Sequence, residues 1–152
     1  MIRIKAVDAQ NILEVCRLTA GAAECAPGDC VCCNAVSIAE AKYDPEMHPN
    51  AIYNNNVLVG FFMYRRAESR ADTAVLRRFM IDARFQRRGL GKKTFAHVLH
   101  GLKIQGVRKV VLQIDSANKA AAGLCLAFGF RRAETAGHGE NDREEDDYIL
   151  EL

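Results

Sequence analysis

Gln86-Arg87-Arg88-Gly89-Leu90-Gly91-Lys92-Lys93 is the stretch of sequence around which the rest of the chain is organised. It follows an apolar run from Ala74 to Ile81 that is typical of a strand, and a helical pattern begins directly after it. A strand, a glycine turn and a helix in this order direct backbone N–H groups and the positive end of the helix toward one spot. The sequence therefore predicts a loop that binds a polyphosphate.

Two common nucleotide motifs are excluded by the residues of this loop. A Walker A loop requires Ser or Thr directly after its Gly-Lys pair, but Lys93 follows Lys92. The dinucleotide fingerprint requires a third glycine where Thr94 stands. The predicted phosphate loop is therefore of another kind.

The residue types in the loop fit a bound diphosphate. Gly89 and Gly91 are expected to permit positive φ and to leave no Cβ between the backbone and a phosphate. Four cations beside them can donate charge-assisted hydrogen bonds to phosphate oxygens, and these are Arg87, Arg88, Lys92 and Lys93. The plainer alternative is a tight strand-to-helix turn whose cations are solvated.

Composition limits the class of protein. A chain of 152 residues with 49% hydrophobic content can bury the core of one domain, which we expect over residues 1–152. Its 21 basic and 19 acidic residues give a net charge of only +2, so nothing favours nucleic acid or a membrane as a partner. No apolar stretch approaches the roughly 18 residues of a membrane span, and no signal-peptide core is seen. We expect a cytoplasmic protein.

Periodicity predicts the secondary structure of the first half of the chain. Alternating polarity over residues 2–6 predicts a strand, and Asp8 is expected to cap a helix that runs to about Ala20 and is ended by Gly21. The pair Ser37 and Glu40 has the spacing of a capping box ahead of a second helix. A hairpin is predicted with its turn at residues 54–56.

The second half alternates strands and helices. Phe95, Val98, Leu99 and Leu102 have the spacing of a helix that packs one face on a sheet. The remaining predicted elements are a strand over residues 109–114, a helix from Asn118 to about Phe128, a strand after Gly129-Phe130, an acidic hairpin loop, and a last strand over residues 147–152.

Four of the six cysteines lie in one predicted loop between Gly21 and Asn34, and these are Cys25, Cys30, Cys32 and Cys33. Their spacing lacks the two separated Cys-x2-Cys pairs of a structural zinc site. In a reducing compartment they are expected to be ordinary thiols, so no metal site is predicted.

Two motifs resemble those of the GNAT acetyltransferase superfamily. Gln86, Gly89 and Gly91 match its Q/R-x-x-G-x-G/A diphosphate signature. The run Asn118-x-x-Ala121-x-x-Leu124-Cys125-x-x-x-Gly129-Phe130 is similar to a second signature, found also in the bacterial spermine/spermidine acetyltransferase group. The resemblance covers essentially the whole chain. It implies an α/β GNAT fold, with a mixed, mostly antiparallel central sheet, helices on both faces, and strands four and five splayed around acetyl-CoA.

The resemblance implies which residues bind acetyl-CoA. The arm of the cofactor would bond to the backbone of the fourth strand, and Asn118 would lie near it. The implied cofactor-binding residues are Phe79, Met80, Ile81, Gln86, Arg87, Arg88, Gly89, Leu90, Gly91, Lys92 and Asn118. A backbone N–H of the fourth strand would stabilise the oxyanion of the tetrahedral intermediate.

Two positions depart from the family pattern. Cys125 stands where the family usually has a Tyr that is proposed to protonate the departing thiolate, and Arg77 stands where some polyamine enzymes have an acidic residue. The acid is therefore Cys125 or water, and a covalent acetyl-Cys125 is the bolder alternative. Glu40, near the implied acceptor pocket, and Asp82 are the candidate general bases.

The implied activity is transfer of acetyl from acetyl-CoA to a primary amine of a small molecule. A polyamine such as spermidine or spermine is the first hypothesis for the acceptor. The alternatives are an aminoglycoside, an amino acid, a protein N-terminus, or a non-catalytic acyl-CoA-binding domain. Similar enzymes are often homodimers, so a homodimer is possible here too.

Overall fold

The computed structural model describes residues 1–21, 33–115, 118–133, 137–138 and 144–152. These residues form eight strands, four α-helices and two short 3-10 helices (Glu68–Arg70 and Ala83–Phe85), and all the strands belong to one mixed sheet. In chain order the elements are β1 (Ile2–Ala6), α1 (Ile12–Arg17), α2 (Asn34–Tyr43), β2 (Met47–Asn54), β3 (Val57–Arg65), β4 (Thr73–Ile81), α3 (Leu90–Ile104), β5 (Lys109–Asp115), α4 (Lys119–Ala127), β6 (Arg131–Arg132), β7 (Gly137–His138) and β8 (Glu144–Glu151).

The sheet has the strand order β1-β2-β3-β4-β5-β8-β6, with β7 also paired to β8. Every pairing is antiparallel except that of β4 with β5. The β2–β3 hairpin turns at Asn55 and Asn56, both with positive φ, as a two-residue turn requires. The predicted hairpin, and the predicted mixed and mostly antiparallel sheet, are confirmed.

Two apolar clusters cover the two faces of the sheet. The larger lies under α3 and α4 and has Phe95 at its centre, where it contacts the rings of Phe79, Phe128 and Phe130. The smaller lies under α1 and α2 and is built around Val15, Ile38, Phe61 and Met63. The predicted apolar face of α3 is confirmed, because Phe95, Val98, Leu99 and Leu102 are all buried. None of the helices in the described part of the chain is long and apolar enough to cross a membrane.

The first helix is shorter than its sequence pattern predicts. It ends at Arg17, because Leu18 is extended with ψ near 140° and the backbone of Thr19 is used elsewhere, in hydrogen bonds to Asp82 and Ala83. Asp8 does act as a cap, but of the turn before the helix. Its Oδ1 accepts hydrogen bonds from the N–H groups of Gln10 and Asn11.

The predicted capping box of the second helix is wrong. The helix begins at Asn34, so Ser37 lies inside the first turn, where its hydroxyl contacts the carbonyl of Cys33. The Ser37–Glu40 spacing predicts the wrong start because α2 already begins at Asn34. The side-chain amide of Asn34 donates to Val15 O at 2.9 Å and so joins α2 to α1. Glu40 is therefore free of any capping role.

Two further expectations concern loops. The last strand begins at Glu144, so residues 144–146 belong to β8 and not to the predicted acidic loop, because β8 pairs with β5 as far as Asp115. The predicted cysteine-rich loop lies outside the described residues except for Cys33, which is exposed at the start of α2.

Candidate active site

A wedge opens in the middle of the sheet between β4 and β5. The two strands pair in parallel only from Thr73–Lys109 to Leu76–Leu112, although β4 continues to Ile81 and β5 to Asp115. The five residues of β4 beyond the last pair extend about 17 Å at the usual rise of a strand. The predicted splaying of the fourth and fifth strands is confirmed.

A β-bulge at Arg77 accompanies the separation of the strands. Met63 pairs with Arg78 and Tyr64 pairs with Leu76, which leaves Arg77 as the extra residue of β4. A bulge bends its strand and increases the local twist. Since Arg77 directly follows the last residue paired with β5, the bulge lies where β4 turns away from its neighbour.

The hydrogen-bond alternation of β3 and β4 decides which backbone groups of β4 point into the wedge. Asp82 N–H donates to Val59 O at 2.8 Å, so these two residues form a hydrogen-bonded pair of the antiparallel ladder. With a period of two, Met80 bonds to β3 whereas Phe79 and Ile81 turn their N–H and C=O groups away from it. Phe79 and Ile81 thus present backbone donors along the wedge.

The predicted phosphate loop connects the open end of the wedge to α3. Gly89 caps the helix in the left-handed region with φ of 74°, and Arg87 also has a positive φ, of 62°. Gly91 lies in the first turn of α3 and its φ is not positive, so the conformational freedom of a glycine is not used at this position. The N–H groups of the first helical turn have no partner within the helix and face this end. Arg87, Arg88, Lys92 and Lys93 are all exposed around it.

Both loop glycines leave space that the described protein does not fill. A Cβ built on Gly89 or on Gly91 has no heavy atom of the described residues within 4 Å. Neither glycine is therefore needed for internal packing, and at Gly91 the backbone conformation does not require one either. The space beside Gly91 would allow a ligand to approach the backbone closely.

Gln86 holds the phosphate loop in place through its side chain. Its amide Nε2 donates to Ile81 O at 2.8 Å and to Ala20 O at 3.0 Å. The motif glutamine thus joins the end of β4 to the segment that follows α1. Its amide hydrogen bonds in this structure are made to the protein backbone.

Asp82 is a second link between the same two segments. Its carboxylate is 3% exposed and accepts hydrogen bonds from Thr19 N, Arg84 N and Arg84 Nε at 2.8 to 3.1 Å. Burial acts to raise the pKa of Asp82, but the hydrogen bonds from Arg84 and Thr19 outweigh it and lower the pKa below its ordinary value. These contacts give Asp82 a structural role and make it a poor proton acceptor.

Cys125 lies in α4 and is 3% exposed, inside the cluster under α3 and α4. Burial raises the pKa of its thiol to about 11. The thiol therefore keeps a proton that it can donate, but only roughly one part in ten thousand is thiolate at pH 7. A covalent acetyl-Cys125 is disfavoured, because the thiolate is the nucleophile.

The remaining predicted site residues lie on three different elements of the fold. Met80 is half-buried beside α2, with its sulfur 3.9 Å from Asn34 Nδ2. Glu40 is exposed in the second half of α2, six residues or about 9 Å along the helix from Asn34. Asn118 caps α4, since its Oδ1 accepts from Ala121 N at 3.1 Å.

A cleft of about 210 Å³ lies beside the phosphate loop, toward the β2–β3 turn. It is lined by Asn54, Phe85, Arg88, Gly89, Leu90 and Lys93. Asn54 Oδ1 is buried and has no hydrogen-bond partner within the described part of the chain. The positive groups of the loop are therefore accessible from this side as well.

Several features of the site carry no signal in the sequence. The bulge at Arg77, the hydrogen bond from Thr19 to Asp82 and the role of Gln86 as a clamp depend on contacts between segments that are far apart in the chain. The one sign in the sequence that Asp82 has a special role is that this charged residue directly follows a buried strand.

The fold and the loop motif agree with a known family. The family model described as the acetyltransferase (GNAT) family matches residues 21–130, which is most of the chain. The chain therefore belongs to the GNAT acetyltransferase family, and the predicted family is confirmed.

Two curated relatives differ in the acceptor that their names give. A spermine/spermidine N(1)-acetyltransferase of Bacillus subtilis is 32% identical over 102 residues, which cover 63% of this chain and 67% of the relative. A ribosomal protein bS18 alanine N-acetyltransferase of Salmonella typhimurium is 37% identical over 62 residues, which cover 41% of this chain and 42% of the relative. The matches thus span 42% to 67% of the length of these relatives.

A solved structure supports the fold over nearly the whole chain. A GNAT family acetyltransferase from Elizabethkingia anophelis, with acetyl-CoA bound, superposes with a TM-score of 0.69 at 16% identity, covering 99% of this chain and 98% of that one. At this identity the likeness shows the fold alone.

Asp82→Asn tests the structural role of this carboxylate. The folded pKa lies below the ordinary value of 3.8, so the charge stabilises the native state above that pH, and the stabilisation is lost as pH falls through the folded pKa. At pH 7 we expect the free energy of unfolding to fall by about 1–3 kcal/mol, because buried donors lose their acceptor. The loss should shrink below about pH 4. Urea unfolding across pH measures both effects.

The matched control is Arg84→Ala, because Arg84 is 70% exposed and its ion pair should contribute only about 0–1 kcal/mol. Equal losses in the two variants at pH 7 would contradict the role assigned to the buried carboxylate.

Gly91→Ala separates ligand binding from folding. The added methyl meets no described protein atom and improves helix propensity, so stability should be unchanged or higher by up to about 1 kcal/mol. A diphosphate held close to this backbone would be crowded, so the Kd for acetyl-CoA should rise roughly tenfold or more. Calorimetric titration measures the Kd.

Gly101→Ala is the control for Gly91→Ala, because it makes the same change further along α3 and also meets no described atom. Its Kd should match that of the wild type. An unchanged Kd in Gly91→Ala and in the bulkier Gly91→Val would remove the phosphate loop from the cofactor site.

Proposed function

We propose that the chain transfers the acetyl group of acetyl-CoA directly to a primary amine of a small molecule. The observation that carries this proposal is the wedge between β4 and β5, which leads at its open end into a cationic glycine loop at the start of α3. Acetyl-CoA has a flexible arm, which the wedge can hold, and a diphosphate, which the loop can bind. Acetyl-CoA supplies an activated acetyl thioester.

The residues present fit acetyl-CoA as the donor. The loop offers backbone N–H groups, space above Gly91 and the cations Arg87, Arg88 and Lys92 for a diphosphate. Phe79 and Ile81 offer strand-type hydrogen bonds along the wedge. Asn118 and Met80 lie on elements that border it, on opposite faces of the sheet.

The backbone of β4 also provides the electrostatic part of catalysis. An N–H of Phe79 or Ile81 that points into the wedge can donate to the oxyanion that forms when an amine adds to a thioester. These donors are held by the β3–β4 ladder and do not need to reorient.

The attacking amine must be uncharged, although an alkylammonium has a pKa near ~10. Of the two carboxylates considered as bases, Asp82 is the weaker candidate, since its hydrogen bonds are used and its pKa is lowered. Glu40 is exposed on α2 and would act through water. We assign proton removal to Glu40 through a water relay, and protonation of the thiolate to Cys125 or water.

Spermidine and spermine are the first acceptors to test. A relative named as a spermine/spermidine acetyltransferase supports this choice over 102 aligned residues. A second relative, named for acetylation of a ribosomal protein alanine, makes an α-amino group the second candidate. A homodimer in the cytoplasm completes the proposal, and light scattering tests the oligomeric state.

Release of free coenzyme A from acetyl-CoA, followed with a thiol reagent, tests the function. We expect amine-dependent release with at least one class in a panel of spermidine, spermine, aminoglycosides, amino acids and peptides. Acetylated product should be formed in equal amount. Binding of acetyl-CoA without release on any acceptor would instead indicate a binding domain.

Cys125→Ala tests the proton donor. If the thiol is the acid, kcat should fall by roughly tenfold to a thousandfold while the Kd for acetyl-CoA stays near that of the wild type. Cys125→Ser keeps a hydroxyl donor of similar size and should recover part of the rate. An unchanged kcat in both variants would assign the proton to water, and mass spectrometry should find no acetylated enzyme when the acceptor is omitted.

A further inference from the structure

Two arginines lie where the wedge begins. Arg77 is exposed at the bulge, and its Nη1 is 3.3 Å from Oε1 of Gln113 on β5, so the contact spans the gap between the strands. Arg78 follows it on β4 and is half-buried, with its Nη1 3.0 Å from Arg77 O. Two guanidinium groups therefore flank the closed end of the wedge.

The side chain of Arg77 lies on the face of the sheet that carries α1 and α2. On β5, Val110, Leu112 and Ile114 are buried under α3 and α4, so Gln113 projects to the opposite face. Since Arg77 contacts Gln113, it lies on that face too. The helix α3, whose first turn belongs to the phosphate loop, packs on the other face.

Arg77 is too far from the phosphate loop to serve the diphosphate. It precedes Ile81 by four residues, or about 13 Å of strand, and the loop begins only after that. The charge at this position is thus available for the acceptor, which must meet the thioester at the closed end of the wedge.

Of the nearby carboxylates, Asp44 interacts with Arg77 electrostatically but makes its hydrogen bonds to other groups. Asp44 and Glu46 already accept from Arg65, at 3.0 and 2.8 Å. Asp147 is opposite Gln113 in the β5–β8 register and shares its face, on the far side of the gap from Arg77. The β4 wall of the wedge thus carries the cation Arg77, and the β5–β8 wall carries the carboxylate of Asp147.

We propose that the acceptor carries a carboxylate as well as a primary amine, as an amino acid does, with Arg77 binding the carboxylate. This inference rests on the proposed acetyl transfer. The guanidinium of Arg77 can hold a carboxylate through two parallel N–H···O bonds, while Asp147 attracts the ammonium before it loses its proton. A polyamine would bring several ammonium groups beside the guanidinium group of Arg77, which repels them.

Matched acceptors that differ only in the carboxylate test this inference. Glycine, L-alanine, L-glutamate and L-lysine are compared with their carboxamides and with spermidine, using coenzyme A release. For the preferred acid, kcat/KM should exceed that of its amide by roughly tenfold or more. Arg77→Ala should lower kcat/KM for the acid by roughly tenfold to a hundredfold through KM, and change it for the amide by less than about twofold.

Two further variants separate charge from structure. Arg77→Lys keeps the positive charge and should recover part of the loss, whereas Arg70→Ala removes an exposed arginine before β4 and should behave as the wild type. Thermal unfolding of each variant verifies that the bulge still folds.

Three results would overturn the inference alone: equal rates for acid and amide, spermidine as the best acceptor, or an unchanged KM for the acid in Arg77→Ala. In each of these cases the enzyme still transfers acetyl. No release with any acceptor would overturn the proposed transfer itself, and the inference with it.

Discussion

The short parallel pairing of β4 with β5 is the constraint on which the site depends. Four residue pairs hold the strands together, and the bulge at Arg77 then directs β4 away from β5. A sheet interior normally satisfies its backbone groups with neighbouring strands, so an interrupted ladder leaves donors that a ligand can use. Under the proposed function, the same interruption determines where the thioester of acetyl-CoA lies.

The opened sheet is kept stable by what surrounds it. On one face Phe95 packs against Phe79 of β4 and against Phe128 and Phe130 after α4, so the aromatic cluster joins elements from both sides of the wedge. On the other face Asn34 joins α2 to α1 and lies beside Met80. Packing on both faces of the sheet thus supports the walls of the wedge.

Sequence patterns predicted the parts of this architecture that local rules determine. The glycine spacing located the loop, the 3.6-residue period gave the buried face of α3, and the Asn run gave the hairpin turn. The sequence patterns gave wrong helix ends where a segment distant in the chain forms hydrogen bonds with the residues at the end of the helix. Thr19 leaves the helix because Asp82 and Ala83 bond to its backbone, and Ser37 loses its capping role because Asn34 reaches Val15. For the site, the motif predicted the diphosphate loop, but the bulge at Arg77 has no motif, since it results from the register of two strands.

The hydrogen bonds of Gln86 and Asp82 have a consequence for how ligands affect each other. Through Ala20 and Thr19, both side chains join the donor loop to the segment that leaves α1 on the acceptor face. A ligand that shifts the loop must also shift this segment, so under the proposed function the donor and the acceptor share one set of contacts. The two affinities are then linked. The factor by which bound donor changes the affinity for the acceptor equals the factor by which bound acceptor changes the affinity for the donor. Under the proposed function, the coupling between donor and acceptor therefore runs through four hydrogen-bonded residues, which are Gln86, Asp82, Ala20 and Thr19.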